Sequence, residues 1–311
     1  MIKMYNGKDG TLIATEQIAA NTWVDLIDPT LEEQQKIIDE LKIDPTFIKA
    51  ALDEEETSHI DIESDQKLII VDVPIVSKEQ EEKYILYSTI PIAIILTKEN
   101  VITVCSRENP VTADFTSGLV RNVYPNLKTR FLLQILYRIA AVYLRYLKQI
   151  DKISNMVEHN LHKSMKNKEL LQLMEIEKSL VFFSTSLKAN EVTLQKILRG
   201  RVVTLYEEDK ELLEDVLIEV TQAIEMCTIY RDILSGTMDA FASVISNNLN
   251  IVMKILTSIT ILMTVPNVVT SFYGMNVDLP HIFGNSYLFP LLLSVIIIII
   301  AAIILRKKHL L

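Results

Sequence analysis

The chain has 311 residues, 49% of them hydrophobic and 23% charged, with a net charge of −9 at neutral pH. This allows one sizeable soluble domain plus membrane segments, and the acidic balance argues against a nucleic-acid binder. Two cysteines, Cys105 and Cys227, lie far apart with no paired-cysteine motif; a disulfide framework or structural zinc site is not expected, and a reducing cytosol fits.

The opening MIKMYNGKDG has no apolar signal core, so about 250 residues are expected to stay on the side of synthesis. Residues 2–5, 11–14 and 22–27 read as short strands, the last beginning near Trp23. A helix follows to Leu41. Its start is open between Asp28 capping with Pro29 in the first turn and Thr30 with Glu33 as a capping box. Asp44-Pro45 repeats the first device and starts a second helix ending near Leu52. Asp53-Glu54-Glu55-Glu56 lacks the paired spacing of a metal cage and reads as a solvated helix end. Residues 59–62, 67–76, 84–97 and 101–105 read as strands rich in β-branched residues. Asp72 inside one of them reads as a satisfied polar position. Lys78 to Lys83 forms a polar hairpin connection.

After Asn109-Pro110 the strand pattern stops. Helices are expected over 110–121, 127–161 and 169–198, with Gly200 as a C-cap. From Glu207 no proline occurs until Pro266, and Gly236 is the only glycine before Gly274. One helix over 207–272 would be roughly 100 Å long at about 1.5 Å per residue. Leu212, Leu213, Val216, Val220, Ala223, Ile224, Cys227 and Ile233 have the seam of a helix that packs against copies of itself.

No residue from Ile255 to Tyr273 is charged, and about nineteen such residues approach the minimum for a membrane span. Thr257, Thr260, Thr264, Asn267 and Ser271 recur at helical spacing on one face. Two readings stand. The hydroxyls glue this helix to a neighbour, or copies of the stripe line a wet pore, which demands an oligomer. Pro266 frees the Leu262 carbonyl and marks a kink or widening. A second span, 287–305, is nearly all aliphatic, with Ser294 its small polar group, and is expected to face membrane lipid. Arg306-Lys307-Lys308 follows, while loop 277–286 has no Lys or Arg, so both termini are expected in the cytosol.

The fold class is therefore an α+β membrane protein: an N-terminal cytosolic α/β domain, long helices forming a funnel or stalk, and two C-terminal transmembrane helices. The expected divisions are 1–126, the α/β domain; 127–249, the cytosolic long helices; and 250–276, the first span with its terminal motif. The extracellular loop 277–286, the second span 287–305 and the basic tail 306–311 complete the chain.

Tyr273-Gly274-Met275-Asn276 closes the first span. With Tyr230-Arg231-Asp232-Ile233-Leu234-Ser235-Gly236 and the run Asn250 to Lys254, it resembles the CorA family of magnesium transporters. The resemblance implies a homopentamer in a cell membrane, with an outer selectivity ring of Gly274, Met275 and Asn276. It puts a cytosolic-end asparagine at Asn250 and a leucine constriction at Leu256. Where the family carries a threonine ring this chain has Asn267, and where it often carries methionine it has Thr264. Both departures make the pore wetter, and Leu256 with Met253 becomes the dewetting gate. The family's regulatory Mg²⁺ site falls on Asp215, its partner carboxylate in the α/β domain not being identified.

The chemistry agrees with the resemblance. Magnesium gives up its water reluctantly, so a pathway that handles the hydrated ion wants neutral oxygen acceptors, as Asn276 and the carbonyls of Gly274 and Met275 provide. Fixed carboxylates would hold it too tightly for exit, and a proton relay would carry an ionisable group in the span. Mg²⁺ is the expected cargo and regulator, with Co²⁺ and Ni²⁺ also possible cargo. The alternatives are the zinc-transporting branch of the superfamily and a non-transporting coiled-coil sensor. No P-loop, dinucleotide fingerprint, catalytic triad or His-Glu zinc motif points to an enzyme.

Overall fold

A computed structural model describes residues 1–77, 86–164, 167–200, 202–275 and 288–308. The hairpin connection 78–83, Asn276 and the loop 277–286 lie outside the described residues. The chain divides into two compact units, Met1–Thr237 and Met238–Leu311.

The strands of the first unit are β1 (Ile2–Lys8), β2 (Thr11–Ala14), β3 (Thr22–Ile27), β4 (His59–Glu63), β5 (Gln66–Ser77), β6 (Leu86–Leu96) and β7 (Val101–Cys105). They form one sheet in the order β2-β1-β3-β7-β6-β5-β4. β3 runs parallel to β7 and the other pairs are antiparallel. Every residue of β3 and β7 is buried. Helices cover both faces at these strands, which is why TWVDLI and VITVC read as continuous runs rather than alternating ones. On one face Val24, Leu26, Ile70, Ala93, Ile95, Ile102 and Val104 pack with Ile37 of α1 (Leu31–Leu41) and Phe47, Ile48 and Ala51 of α2 (Pro45–Ala51). On the other, Trp23 meets Phe115 of α3 (Pro110–Thr116) and Phe131 of α4 (Lys128–Ser164), with ring centroids 6.0 and 5.3 Å apart. Tyr87 and Tyr143 meet Phe183 of α5 (Asn167–Leu198).

Local chemistry sets the helix ends. Thr30, not Asp28, caps α1. Its hydroxyl accepts from the Glu33 N–H, and the Glu33 carboxylate accepts from the Thr30 N–H. Asp28 stands at φ 43°, outside the cap geometry. Asp44 caps α2 through the Thr46 N–H. α3 ends earlier than its sequence suggests, because Gly118 at φ 76° turns the chain out of the helix. Gly200 at φ 71° ends α5, its N–H bonding the Ile197 carbonyl.

Asp72 shows how the sheet is held to α5. β4 stops pairing with β5 at His59 and Ile70. Just beyond, the Asn190 side chain takes over: Asp72 N–H donates to Asn190 Oδ1 at 2.8 Å, and Asn190 Nδ2 donates to the Asp72 carbonyl at 2.9 Å. Ser58 and Tyr143 hydroxyls complete the set. The position is thus polar and satisfied, chiefly through its backbone. Burial raises the carboxyl pKa, opposed by a hydrogen bond with Ser186.

α6 runs from Glu207 to Tyr273 and continues through Pro266. Its expected copy-facing seam is corrected here. Leu213, Val216, Val220, Ala223 and Cys227 are buried within the first unit, and the Cys227 thiol donates to the Leu180 carbonyl of α5 at 3.0 Å. Ile233, grouped with them from sequence, is exposed along with Ile218 and Ile229 on a different face. The second unit comprises the remainder of α6 and α7 (Leu288–Lys307).

Candidate functional site

Within the second unit, α6 and α7 are long and apolar enough to cross a membrane. Asn250, Met253, Leu256, Thr257, Thr260, Thr264, Asn267 and Ser271 are all exposed along α6. Within residues 255–273, α6 withdraws Ser258 and Val269 from solvent, with Leu262, Val265 and Pro266 half-buried. At ~100° per residue this set lies about 160° around the helix from the polar stripe. On α7, Ser294 and Leu305 are buried and Phe289 half-buried. The Tyr273 and Phe289 rings meet at 6.0 Å. An apolar cleft of about 370 Å³ involves Val265, Val269 and Ile297, with Thr260 and Thr264 also lining it. The polar stripe is thus divided: Thr260 and Thr264 border this cleft beside Ile297 of α7, whereas Thr257, Asn267 and Ser271 are exposed and do not line it.

The stripe's hydroxyls are oriented. Thr260 Oγ1 donates to the Leu256 carbonyl at 2.9 Å, and Thr264 Oγ1 to the Thr260 carbonyl at 2.8 Å. This satisfies each hydroxyl proton inside its own helix. At the far end the Gly274 N–H still bonds the Thr270 carbonyl at 2.9 Å. A Cβ at Gly274 would stand 3.1 Å from that same carbonyl oxygen, a crowded approach that glycine avoids. Met275 is exposed, and Asn276 falls outside the described residues.

In the first unit, Asp215 and its neighbour Glu214 are exposed on α6. Among the described residues no group of three or more His, Cys, Asp or Glu side chains could hold a metal ion. The structure brings the stripe together but, among the described residues, gathers no such group around Asp215.

Two charged positions in this unit escaped the sequence reading. Asp25 is buried, accepts from the Thr103 hydroxyl at 2.7 Å, and leaves Oδ2 without a partner. Burial pushes its pKa up to about 6, against the Thr103 hydrogen bond and the charge of Lys3. Asp114 pairs with Arg138 at 2.5 Å and Arg145 at 3.6 Å, tying α3 to α4. A carboxylate inside the apolar run TWVDLI was the available signal for the first. For the second, nothing in the spacing links the residues.

An α/β unit with long helices is followed by two helices long and apolar enough to cross a membrane, one of them with an exposed polar face, an arrangement that fits a membrane transport protein. Comparison with known proteins specifies which. The family model described as CorA-like Mg²⁺ transporter protein matches residues 19–307, and the chain belongs to that family. It is a divalent-cation transporter and not an enzyme.

The cobalt/magnesium transport protein CorA of Methanocaldococcus jannaschii is 27% identical over 263 residues, covering 82% of this chain and 79% of that protein. The Thermotoga maritima protein of the same description is 34% identical over 113 residues, covering 33% of this chain and 32% of its own length. The complete structure of the M. jannaschii CorA magnesium transporter superposes with a TM-score of 0.83 at 25% identity, covering 99% of this chain and 98% of that one. The full-length CmaX structure gives 0.73 at 16% identity over 98% and 97% of the two chains, a likeness of fold. So does the ZntB cytoplasmic domain from Vibrio parahaemolyticus RIMD 2210633, at 0.59 and 13% identity over 80% and 97%.

Proposed function

We propose that several copies of this chain, five by family resemblance, surround an aqueous pathway walled by α6 and carry Mg²⁺ into the cell along the membrane potential. One observation carries the reading: the threonine and asparagine face of α6 is exposed, with Thr260 and Thr264 at the edge of the cleft that Ile297 of α7 shares. A polar stripe left bare on a spanning helix needs water or another copy beside it.

Gly274, Met275 and Asn276 form the outer ring that grips the ion through its hydration shell. Asn250, Met253 and Leu256 form the cytosolic mouth, where Met253 and Leu256 are apolar enough to close the path by dewetting. The aliphatic outside of α7 faces lipid. Arg306, Lys307 and Lys308 at its end hold both termini in the cytosol. The name of the M. jannaschii relative supports Co²⁺ as a second cargo.

Asp215 is read as one ligand of a regulatory Mg²⁺. Within one chain it has Glu214 beside it but no gathered third group, so the site is completed by a neighbouring copy. Bound Mg²⁺ bridges acidic faces that otherwise repel, stabilising the closed assembly until cytosolic Mg²⁺ falls.

The test is Mg²⁺ uptake into vesicles containing the full chain, with Zn²⁺ and Co²⁺ as competitors. Asn276→Ala is expected to abolish uptake. Wild-type uptake by that variant would defeat the reading, and preferential Zn²⁺ flux coupled to protons would move the chain to the zinc branch.

A further inference from the structure

Within the first unit, α4 turns three cations into one groove. Arg145, Lys148 and Lys152 stand at i, i+3 and i+7, on one side of a helix. They line a cleft of about 470 Å³ that Glu219 of α6 also lines, with Ala141 and Leu144 as its apolar part. The groove thus gathers positive charge in a chain whose net charge is −9.

These charges are not spent on one another. Among the described residues Lys148, Lys152 and Glu219 make no ion pair or hydrogen bond. Arg145 is held in place: Asp114 Oδ2 lies 3.6 Å from its Nη1, and its guanidinium stands 5.6 Å from the centre of the Tyr146 ring. Asp114 gives its shorter contact to Arg138, so Arg145 has donors to spare. Gln149, another lining residue, accepts from the Tyr87 hydroxyl at 3.1 Å, which leaves its NH₂ to donate. The opposite charges stand apart in one groove, and both are free to meet a ligand that carries both signs.

We propose that this groove binds a magnesium-loaded polyphosphate, with Arg145, Lys148 and Lys152 on the phosphate oxygens and Glu219 on the metal side. The site lies in the first unit and does not depend on α6 walling a pathway.

The chemistry follows from the charges. A polyphosphate presents several anionic groups in a row; a guanidinium meets them as a fork and an ammonium as a point charge. A cleft with walls of low dielectric concentrates the field of its cations, which draws an anion to an otherwise acidic protein. For a bare anion Glu219 would be a fault, since its carboxylate repels phosphate. Mg²⁺ removes the conflict. It keeps most of its waters and is held through one or two carboxylates together with phosphates. Glu219 then accepts from waters on a Mg²⁺ that the phosphates already carry.

The test is isothermal titration of the full chain in detergent with tripolyphosphate and with ATP, each with and without Mg²⁺. Wild type is compared with Lys148→Ala, Lys152→Ala, the two together, and Glu219→Gln. Size exclusion checks the assembly of each. Wild type is expected to bind saturably, and each lysine variant about tenfold more weakly, the worth of one hydrogen bond to a charged group. Added salt should weaken binding. Mg²⁺ should tighten binding to wild type by about tenfold, on the same reasoning. Glu219→Gln should abolish that advantage and bind the metal-free anion more tightly than wild type.

Equal affinity for tripolyphosphate and ATP would mean that the groove reads phosphates alone; tighter ATP would assign the nucleoside to Ala141 and Leu144. Both results support the site. Absence of saturable binding, wild-type affinity in the paired lysine variant, or a Mg²⁺ advantage that survives in Glu219→Gln would overturn it. So would loss of assembly in the paired lysine variant, which would make the groove a contact between copies.

Discussion

Asp25 offers a direct measurement of what burying a carboxylate costs this fold. It belongs to β3, opposite Thr103 of the parallel strand β7, 1% exposed, with its pKa raised to about 6 by burial. Its ordinary value is near 3.8. The folded state therefore holds this proton more tightly than the unfolded chain. This group's contribution is most favourable below about pH 4, declines as pH rises toward about 6, and is level above that. Two pKa units correspond to about 3 kcal/mol, an upper bound on the cost at neutral pH.

Asp25→Asn removes the charge at every pH. The amide oxygen still accepts from Thr103, while the new NH₂ takes the place of the unpartnered Oδ2. Some of the gain is offset by fitting that donor, so about 1–2 kcal/mol of stabilisation at pH 7 is expected, shrinking toward zero at about pH 4. Trp23 is the chain's single tryptophan, and its Nε1 donates to the Thr103 hydroxyl that holds Asp25. Its fluorescence during urea unfolding of the full chain in detergent reads the site itself. A constant difference between parent and variant from pH 4 to 7, or a variant less stable throughout, would refute the argument.

Other changes test the remaining supports. Asn190→Ala strips the partner from the Asp72 N–H and leaves its carbonyl with the Tyr143 hydroxyl, and should lower stability by about 1–3 kcal/mol, seen as a reduced thermal midpoint. Gly274→Ala puts a methyl against the Thr270 carbonyl at the end of α6; Mg²⁺ uptake should fall while size exclusion shows the assembly intact. Asp215→Ala should lose the protection that rising Mg²⁺ gives the first unit against protease, and cleavage unaltered across a Mg²⁺ titration would count against the regulatory role.

Much of the local structure was written in short stretches of sequence. Strands β2, β3 and β7 fall where β-branched runs predict them, and Asn109-Pro110 begins α3. Thr30 and Asp28 both had capping chemistry. What separated them was the backbone angle at Asp28, which depends on how β3 enters the helix. Near Gly118 the helix pattern outran the helix, because propensity does not show where a left-handed residue ends it.

Periodicity determined that α6 has one apolar face upstream and one polar face in the span, and that no charge interrupts 255–273. It could not say what covers each face. A helix stripe is equally apolar whether it meets its own chain or another copy, since burial is non-directional. Only the packing decided that Leu213, Val216 and Cys227 turn into their own unit beside α5, and that Thr260 and Thr264 border a cleft with Ile297 of α7 while Asn267 does not. Those choices depend on contacts between residues far apart in the chain, such as Cys227 with Leu180, which no local spacing encodes.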